Sequence, residues 1–364
     1  MARTSIRPQD TPPLVTGTAL PRVVFLGGMG RSGTTLLERL LGELPGVCSA
    51  GEVVHLWQRG ISDAERCGCG EPLPSCPFWG EVGRVAFGGW PGVDVRRVGE
   101  LRHSVDRSRH IPLLAAPVLA PPLHRALDEY TGYFLRTYAA IAAVSGSRVV
   151  VDSSKHASLA FCLRWSRELD LRVVHVVRDS RAVAFSWTRR VIRPESASDP
   201  YMPTYSPPRA ALLWNAQNSA LQVLALEGVP TLRIRYEDLV SAPRPALVKI
   251  ARFAGIGAVS AGIGASGAGT GASGAGTGAS GADLGFLGGG PAGRWAVLGT
   301  AHTASGNPMR FVTGKIPIHP DDRWRAEMLP AHRRMVTALT LPLLARYGYT
   351  SARHDRPAGE AGPR

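Results

Sequence analysis

The 364-residue sequence contains no apolar run long enough to cross a bilayer. Its most hydrophobic stretch, IPLLAAPVLAPPL over 111–123, is short and broken by four prolines, whereas a spanning helix needs about 20 consecutive apolar residues. The N-terminal stretch MARTSIRPQDTPPLVTGTALP carries prolines and no apolar h-region, so no signal peptide is expected and the expected location is the cytoplasm. Acidic side chains are also scarce. Against 42 Lys and Arg stand 28 Asp and Glu, a formal net charge of +14, which favours anionic partners such as a nucleotide or a phosphorylated or sulfated substrate. The basic residues are mostly dispersed arginines. With no long Lys/Arg block and no basic stripe with interleaved aromatics, nucleic acid is not an expected partner.

Cysteine is sparse, five in all. An odd count in a chain with no secretion signal argues against a disulfide framework. Cys67, Cys69 and Cys76 crowd into RCGCGEPLPSCPFW, while Cys48 and Cys162 stand alone. The C-x-C-x6-C group could bind zinc, but it lacks a fourth ligand at familiar spacing. Free thiols in a Gly/Pro-rich loop are therefore expected, and no metal.

What is present is a core-forming chain, 44% hydrophobic. A flexible arm is expected over 1–21, one domain over 22–350 and a flexible tail over 351–364. RVVFLGG (22–28) reads as a buried strand and TTLLERLLGEL (34–44) as a helix stopped by Pro45-Gly46, with an extended segment over 46–54. The Cys loop and 81–118 give no clear pattern. PPLHRALDEYTGYFLRTYAAIAAV (121–144) reads as a long helix. Three strand-helix units follow: SRVVVDSS into 155–169, LRVVHVVRDS into 181–190, and, after a helix over 208–228, TLRIRYEDL into 243–255. β-Branched strands alternating with amphipathic helices predict an α/β fold, a P-loop-NTPase-like parallel sheet flanked by helices, with a helical C-terminal region over 321–349 interrupted at Pro330 and Pro342. A Gly/Ala/Ser/Thr insert at about 257–290 interrupts the domain; within it GASGAGT repeats over 264–282. Its small residues supply no seam for a coiled coil, so it is expected to be a flexible low-complexity insert.

The chemistry starts at VVFLGGMGRSGTTLLERLL (23–41). Strand, glycine-rich turn and helix are the setting of a phosphate-binding loop, which presents backbone amides and the positive end of a helix dipole to an anion. The spacing Gly28 to Gly33 fits G-x-x-x-x-G-K-[ST], yet Thr34 stands where the lysine that reaches the β/γ-phosphates belongs. Arg31, Ser32, Thr34 and Thr35 still furnish a cation and hydroxyls for one phosphate. Asp152, at the end of RVVV, is the candidate to hold Mg²⁺. A second constellation, VVRDSRAVAFSWTRR, sets Arg178 at a strand end, with Ser186 and Arg190 on one face of the next helix. Two arginines and a hydroxyl suit a dianionic phosphate. Two anion sites at two strand ends imply a ligand with two separated anionic ends.

With both segments in view, the sequence resembles sulfotransferases that use 3′-phosphoadenosine 5′-phosphosulfate (PAPS), most nearly the bacterial families and the tyrosylprotein sulfotransferases, over roughly 22–255 and 300–349. Their loop for the 5′-phosphosulfate corresponds to GRSGTT (30–35), and their R-D-x-R-x-x-x-x-S segment for the 3′-phosphate to RDSRAVAFS (178–186). The resemblance implies PAPS as co-substrate, bound by Gly30, Arg31, Ser32, Gly33, Thr34, Thr35, Arg178, Ser186, Arg190 and Tyr236. A closing loop over 303–315 would add Ser305, Asn307, Arg310 and Lys315. It further implies Glu52 as catalytic base, with Arg31 and Lys155 stabilising charge during in-line transfer to a hydroxyl, and no metal requirement. His55 is the rival base, and His156 a further candidate. A carbohydrate, glycolipid or small metabolite is the expected acceptor, with a peptide tyrosine left open. A P-loop kinase or hydrolase and a non-catalytic nucleotide-binding protein are the alternatives.

Overall fold

The computed structural model describes residues 20–194, 201–257, 284–290 and 292–350. The expected arm, the repeat over 264–282 and the tail over 351–364 lie outside the described residues, apart from Leu20 and Pro21 at the arm's end.

Five parallel strands form the main sheet: β1 (Arg22–Gly27), β2 (Val47–Gly51), β3 (Val149–Lys155), β4 (Leu171–Val177) and β5 (Thr231–Arg235). Their order is β2-β3-β1-β4-β5, with β1 central and paired in parallel to β3 and β4. The period-2 alternation of β1 explains why both faces are apolar. Val23 and Phe25 enter one buried cluster and Val24 and Leu26 the other, all fully buried. From β1 the chain runs to β2 and β3 on one side and then crosses to β4 and β5 on the other, so a crevice opens at the C-terminal end of β1, where ligands of open α/β sheets bind.

Helices cover both faces. They are α1 (Thr34–Gly42), α2 (Pro77–Phe87), α3 (Val95–Val105), α4 (Ile111–Leu114), α5 (Pro121–Ser145), α6 (Ala157–Leu163), α7 (Ser180–Thr188), α8 (Pro207–Leu226), α9 (Tyr236–Ser241), α10 (Pro243–Ala254), α11 (Trp324–Glu327) and α12 (Pro330–Arg346). The parallel sheet with flanking helices is the expected architecture. Helices α2 and α3 fall in the stretch that sequence pattern left unassigned. Helix α12 begins at Pro330, where a missing N–H costs nothing, and continues through Pro342 rather than breaking there. Asn215 Nδ2 donates to Leu339 O at 2.8 Å, giving a partner to a carbonyl in the turn that Pro342 disrupts.

A second, antiparallel sheet was not foreseen. β6 (Leu287–Gly288), β7 (Trp295–Leu298) and β8 (Gly314–Pro317) pair in that order. Between β7 and β8 the chain passes the end of β2: Ala304 N donates to Ala50 O at 2.9 Å and Glu52 N to Ala304 O at 2.7 Å. This passage joins the small sheet to the strand end that carries Glu52.

Candidate functional site

Beyond Gly27 the chain turns through Gly28–Gly33 into α1. The turn needs left-handed backbone at Arg31 (φ 74°) and Gly33 (φ 86°). A Cβ on Gly33 would also lie 2.4 Å from Tyr236 Cδ2, so glycine is required there twice over. Two carbonyls of the turn are held from outside: Gly30 O accepts from Trp187 Nε1 at 2.9 Å and Arg31 O from Arg178 Nη1 at 3.0 Å. The first-turn amides of α1 have no intrahelical partners, and that turn carries no acidic side chain. Arg31 Nε and Nη2 and Ser32 Oγ are buried with no hydrogen-bond partner. Its guanidinium carbon sits 5.2 Å from the Trp187 ring centroid. Burial lowers the Arg31 pKa from its ordinary value, with Glu52 opposing. Unpartnered buried donors are costly in a folded protein, and here those of Arg31 lie at the turn's mouth.

Opposite the turn, Glu52 follows β2 and forms an ion pair with Lys155, the last residue of β3, each side chain only 13% exposed. Lys155 is left-handed (φ 70°), and its carbonyl accepts from Gln217 Nε2 on α8. Burial would raise the Glu52 carboxyl, but the charge and hydrogen bond of Lys155, with Arg59 and His156, outweigh it and hold the pKa below the ordinary value. His55 Nε2 lies 3.6 Å from Glu52 Oε2. Burial, reinforced by His156, Arg59, Arg102 and Lys155, pushes the His55 pKa well down, so it is neutral at pH 7. Below this group Glu38 of α1 accepts from Ser49 Oγ at 2.9 Å, Gly51 N at 2.6 Å and Ser153 Oγ at 2.7 Å. One buried carboxyl thus ties α1 to the ends of β2 and β3.

On the other side, Arg178 leaves β4 with its guanidinium carbon 4.4 Å from the Tyr236 ring centroid. Its Nη2 donates to Asp321 O at 3.1 Å and lies 3.4 Å from Asp321 Oδ2. Arg323, with Arg178, holds the Asp321 pKa down at about 2. Ser186 on α7 and Tyr236 at the start of α9 line the same space.

These groups enclose one cavity of about 860 Å³, within the several-hundred-Å³ range of ligand pockets and roomy enough for a nucleotide. Its wall brings together Gly30, Arg31, Gly33, Thr34, Thr35, Glu52, Lys155, Arg178, Ser186, Tyr236 and Asn307, all expected from sequence, together with His55 and His156. Six Lys or Arg side chains (Arg31, Arg59, Lys155, Arg178, Arg193, Arg323) line it against two carboxylates, Glu52 and Asp321. The excess suits an anion. Arg59 and Arg193 converge on Glu65, at 3.0 and 2.6 Å.

Several expected residues, Ser32 among them, do not line this wall. Helix α7 ends at Thr188, because Arg189 turns extended and the chain enters a bridge between Ile192 and Tyr201. Arg190 is therefore not on a helix face shared with Ser186. It is exposed, 5.5 Å from the Tyr201 ring centroid. Lys315 lies in β8, exposed, with its amine over Trp295. Arg310 is buried away from the cavity and donates to Thr303 O and Arg66 O. Ser305 is buried beside the end of β2 with a left-handed φ of 55°. Asp152 faces the core, where it accepts from Tyr138 OH at 2.6 Å and from Ser154, so it is not placed to hold Mg²⁺ at the cavity. From 303–315, Asn307 and Met309 line the cavity, and Asp321 and Arg323, from beyond that segment, line it as well. Sequence reasoning also missed Trp187, which braces the loop. Its position next to Ser186 was the available signal.

One family model matches the chain's first part. Residues 21–66 match the family model described as "Sulfotransferase family". That segment spans β1, the loop, α1, β2, Glu52 and His55. No curated protein matches the chain. Among solved structures, the sulfotransferase domain from the curacin biosynthetic pathway is similar at 17% identity and a TM-score of 0.42, over 88% of this chain and 97% of that one. Sulfotransferase STF1 from Mycobacterium tuberculosis H37Rv is similar at 16% identity and a TM-score of 0.36, over 65% of this chain and 68% of that one.

Proposed function

We propose that the protein transfers a sulfuryl group from PAPS to an acceptor hydroxyl, with Glu52 as the base. The observation that carries this reading is the pair of buried, unpartnered guanidinium nitrogens on Arg31, which lines the cavity in a loop that resembles the sulfotransferase phosphosulfate loop. Arg31, Ser32, Thr34, Thr35 and the amides of the turn would hold the 5′-phosphosulfate. Arg178, over Tyr236, and Ser186 would hold the 3′-phosphate. PAPS supplies the sulfuryl group when bound.

Glu52 is kept ionised by Lys155 and lines the cavity, so it can accept the proton of an incoming hydroxyl. Arg31 and Lys155 both line the cavity, and fixed cations in a buried site stabilise developing negative charge strongly. Sulfuryl transfer, like phosphoryl transfer, asks mainly for positioning and electrostatics. The mixed polar and apolar wall formed by Ser108, Met202, Pro203, Tyr205 and Leu213 suits a small hydroxylated acceptor such as a carbohydrate, glycolipid or metabolite.

The test combines binding and transfer. Calorimetry with no added magnesium should show adenosine 3′,5′-bisphosphate binding, and radiolabelled PAPS incubated with fractionated cell extract should yield a labelled product. Glu52→Gln should keep the bisphosphate affinity and lose transfer. Magnesium-dependent ATP binding with no bisphosphate binding would replace this reading with a P-loop kinase or hydrolase. Bisphosphate binding without transfer to any acceptor class would replace it with a non-catalytic binding protein. Loss of transfer in His55→Gln but not Glu52→Gln would move the base to His55.

A further inference from the structure

The fourth ligand absent from the neighbourhood of Cys67, Cys69 and Cys76 in sequence is present in space. His302 comes from the passage between the two sheets, and its ring nitrogen and the three sulfurs all lie within 4.8 Å of one another. Cys69 Sγ to Cys76 Sγ is 3.6 Å, Cys76 Sγ to His302 Nδ1 is 3.2 Å and Cys67 Sγ to His302 Nδ1 is 3.8 Å. A tetrahedral zinc with Zn–S of about 2.3 Å and Zn–N of about 2.0–2.1 Å requires S···S edges of about 3.8 Å and S···N edges of about 3.5 Å. The separations match a single-metal polyhedron. They do not match a disulfide, whose sulfurs lie about 2.05 Å apart.

We propose that Cys67, Cys69, Cys76 and His302 form a structural zinc site. The surroundings are built for it. Cys67 and Cys76 are fully buried. A tight reversal presents the first two thiols: Gly70 N donates to Cys67 O and Cys67 N to Glu71 O, both at 2.8 Å, with Gly70 left-handed at φ 96°. Cys76 caps the N-terminus of α2, and Gly80 N donates to its carbonyl at 2.7 Å. His302 is stacked on Phe78 at a centroid distance of 5.2 Å, and its carbonyl accepts from Trp79 Nε1 at 3.0 Å. Three soft thiol donors with one imidazole select zinc over the oxygen-seeking cations.

Four protein ligands leave no open position, and none of the four lines the cavity. The metal's role is therefore to hold structure rather than to carry out chemistry. It fastens the 67–76 segment to the passage containing Thr303 and Ala304. Gly68 N donates to Thr303 O at 3.0 Å, and Ala304 in turn brackets the end of β2 and the Glu52 amide. The staple thereby closes a long chain loop and positions the backbone of Glu52, whatever reaction the cavity performs.

The test measures metal on the full chain, purified without chelator. Elemental analysis should find about one zinc per chain, or take-up of one equivalent when zinc chloride is titrated into the reduced protein. Cobalt(II) in its place should give thiolate-to-metal charge-transfer bands and tetrahedral d–d absorption. His302→Ala and Cys69→Ser should lose most of the bound zinc, whereas His302→Cys should keep it, even if the first two variants fold poorly. In wild type, removing zinc should raise the reactivity of three thiols towards an alkylating reagent. Folded wild-type protein that neither contains nor takes up zinc or cobalt overturns the proposal. So do zinc content unchanged in both loss variants and a Cys69–Cys76 disulfide found by peptide mapping of the freshly purified protein.

Discussion

Replacing Lys155 with methionine removes the counter-ion of a carboxylate that stays buried. Methionine keeps the length and apolar stem of lysine, and as another L-residue it leaves the strain of the left-handed backbone at φ 70° in place, which glycine would relieve. Both side chains of the pair are only 13% exposed, so solvent screening does little. Breaking a buried ion pair from one side costs about 3–5 kcal/mol, most of it the penalty of the orphaned charge.

The pH dependence fixes the sign. In wild type the Glu52 pKa is depressed, so its contribution to stability is present above the unfolded carboxylate value and lost as pH falls through the lower folded value. Without Lys155 burial dominates and the folded pKa rises above the unfolded one, so the cost is absent in acid and appears as pH climbs. The gap between Lys155→Met and wild type should thus widen from about pH 4 to pH 7, reaching about 3–5 kcal/mol. Urea denaturation across that range measures it. The double variant Lys155→Met/Glu52→Gln, which has no charge to orphan, should recover most of the loss. A loss independent of pH, or one as large in the double variant as in the single, refutes the reasoning.

Glu38→Ala should cost about 3–5 kcal/mol, since Ser49, Gly51 and Ser153 each lose a buried acceptor. Burial raises the Glu38 pKa, so wild type loses stability as pH rises past the unfolded carboxylate value; in denaturation curves Glu38→Gln should gain on wild type from acid to neutral pH. Arg178→Met should weaken adenosine 3′,5′-bisphosphate binding by about 10–100-fold, the worth of charge-assisted hydrogen bonds, while 5′-AMP binding changes far less. Calorimetry should find both affinities unchanged in Arg190→Ala.

The main sheet was legible because its strands are short β-branched runs separated by amphipathic helices, a contrast of composition and period that identifies such elements. The loop residues were legible because they follow a strand end directly, whereas Glu52 came from the resemblance alone. Other features fail for physical reasons. Arg190 was assigned by extending a helical period past Thr188, where a tertiary bridge between Ile192 and Tyr201 ends the helix. Strands β6 to β8 span two to four residues each, too short for a period to register. Helix α2 was hidden by glycines at Gly80 and Gly83, which lower helix propensity, although Gly83 is required by the close approach of Trp90. His302 and Asp321 act by arriving from far along the chain, and spacing cannot reveal that.

The absent lysine after Gly33 now has a structural counterpart. Instead of one cation in the first turn of α1, positive charge enters from the ends of three neighbouring strands: Arg31 beyond β1, Lys155 at the end of β3 and Arg178 beyond β4. Two of the three, Arg31 and Lys155, stand in left-handed backbone although neither is glycine, a conformation costing roughly 1–2 kcal/mol. Strain at a residue with buried, unpartnered donors contributes nothing to folding. If Arg31 is held for a ligand, Arg31→Gly should leave the ligand-free protein as stable as wild type or up to about 1 kcal/mol more stable, as strain relief offsets the lost stacking on Trp187. The same variant should lose transfer activity and most of its affinity for the bisphosphate. Urea denaturation without ligand separates the two effects. A destabilisation of Arg31→Gly beyond about 1 kcal/mol would make Arg31 a structural residue and remove the main support for an anion at the loop.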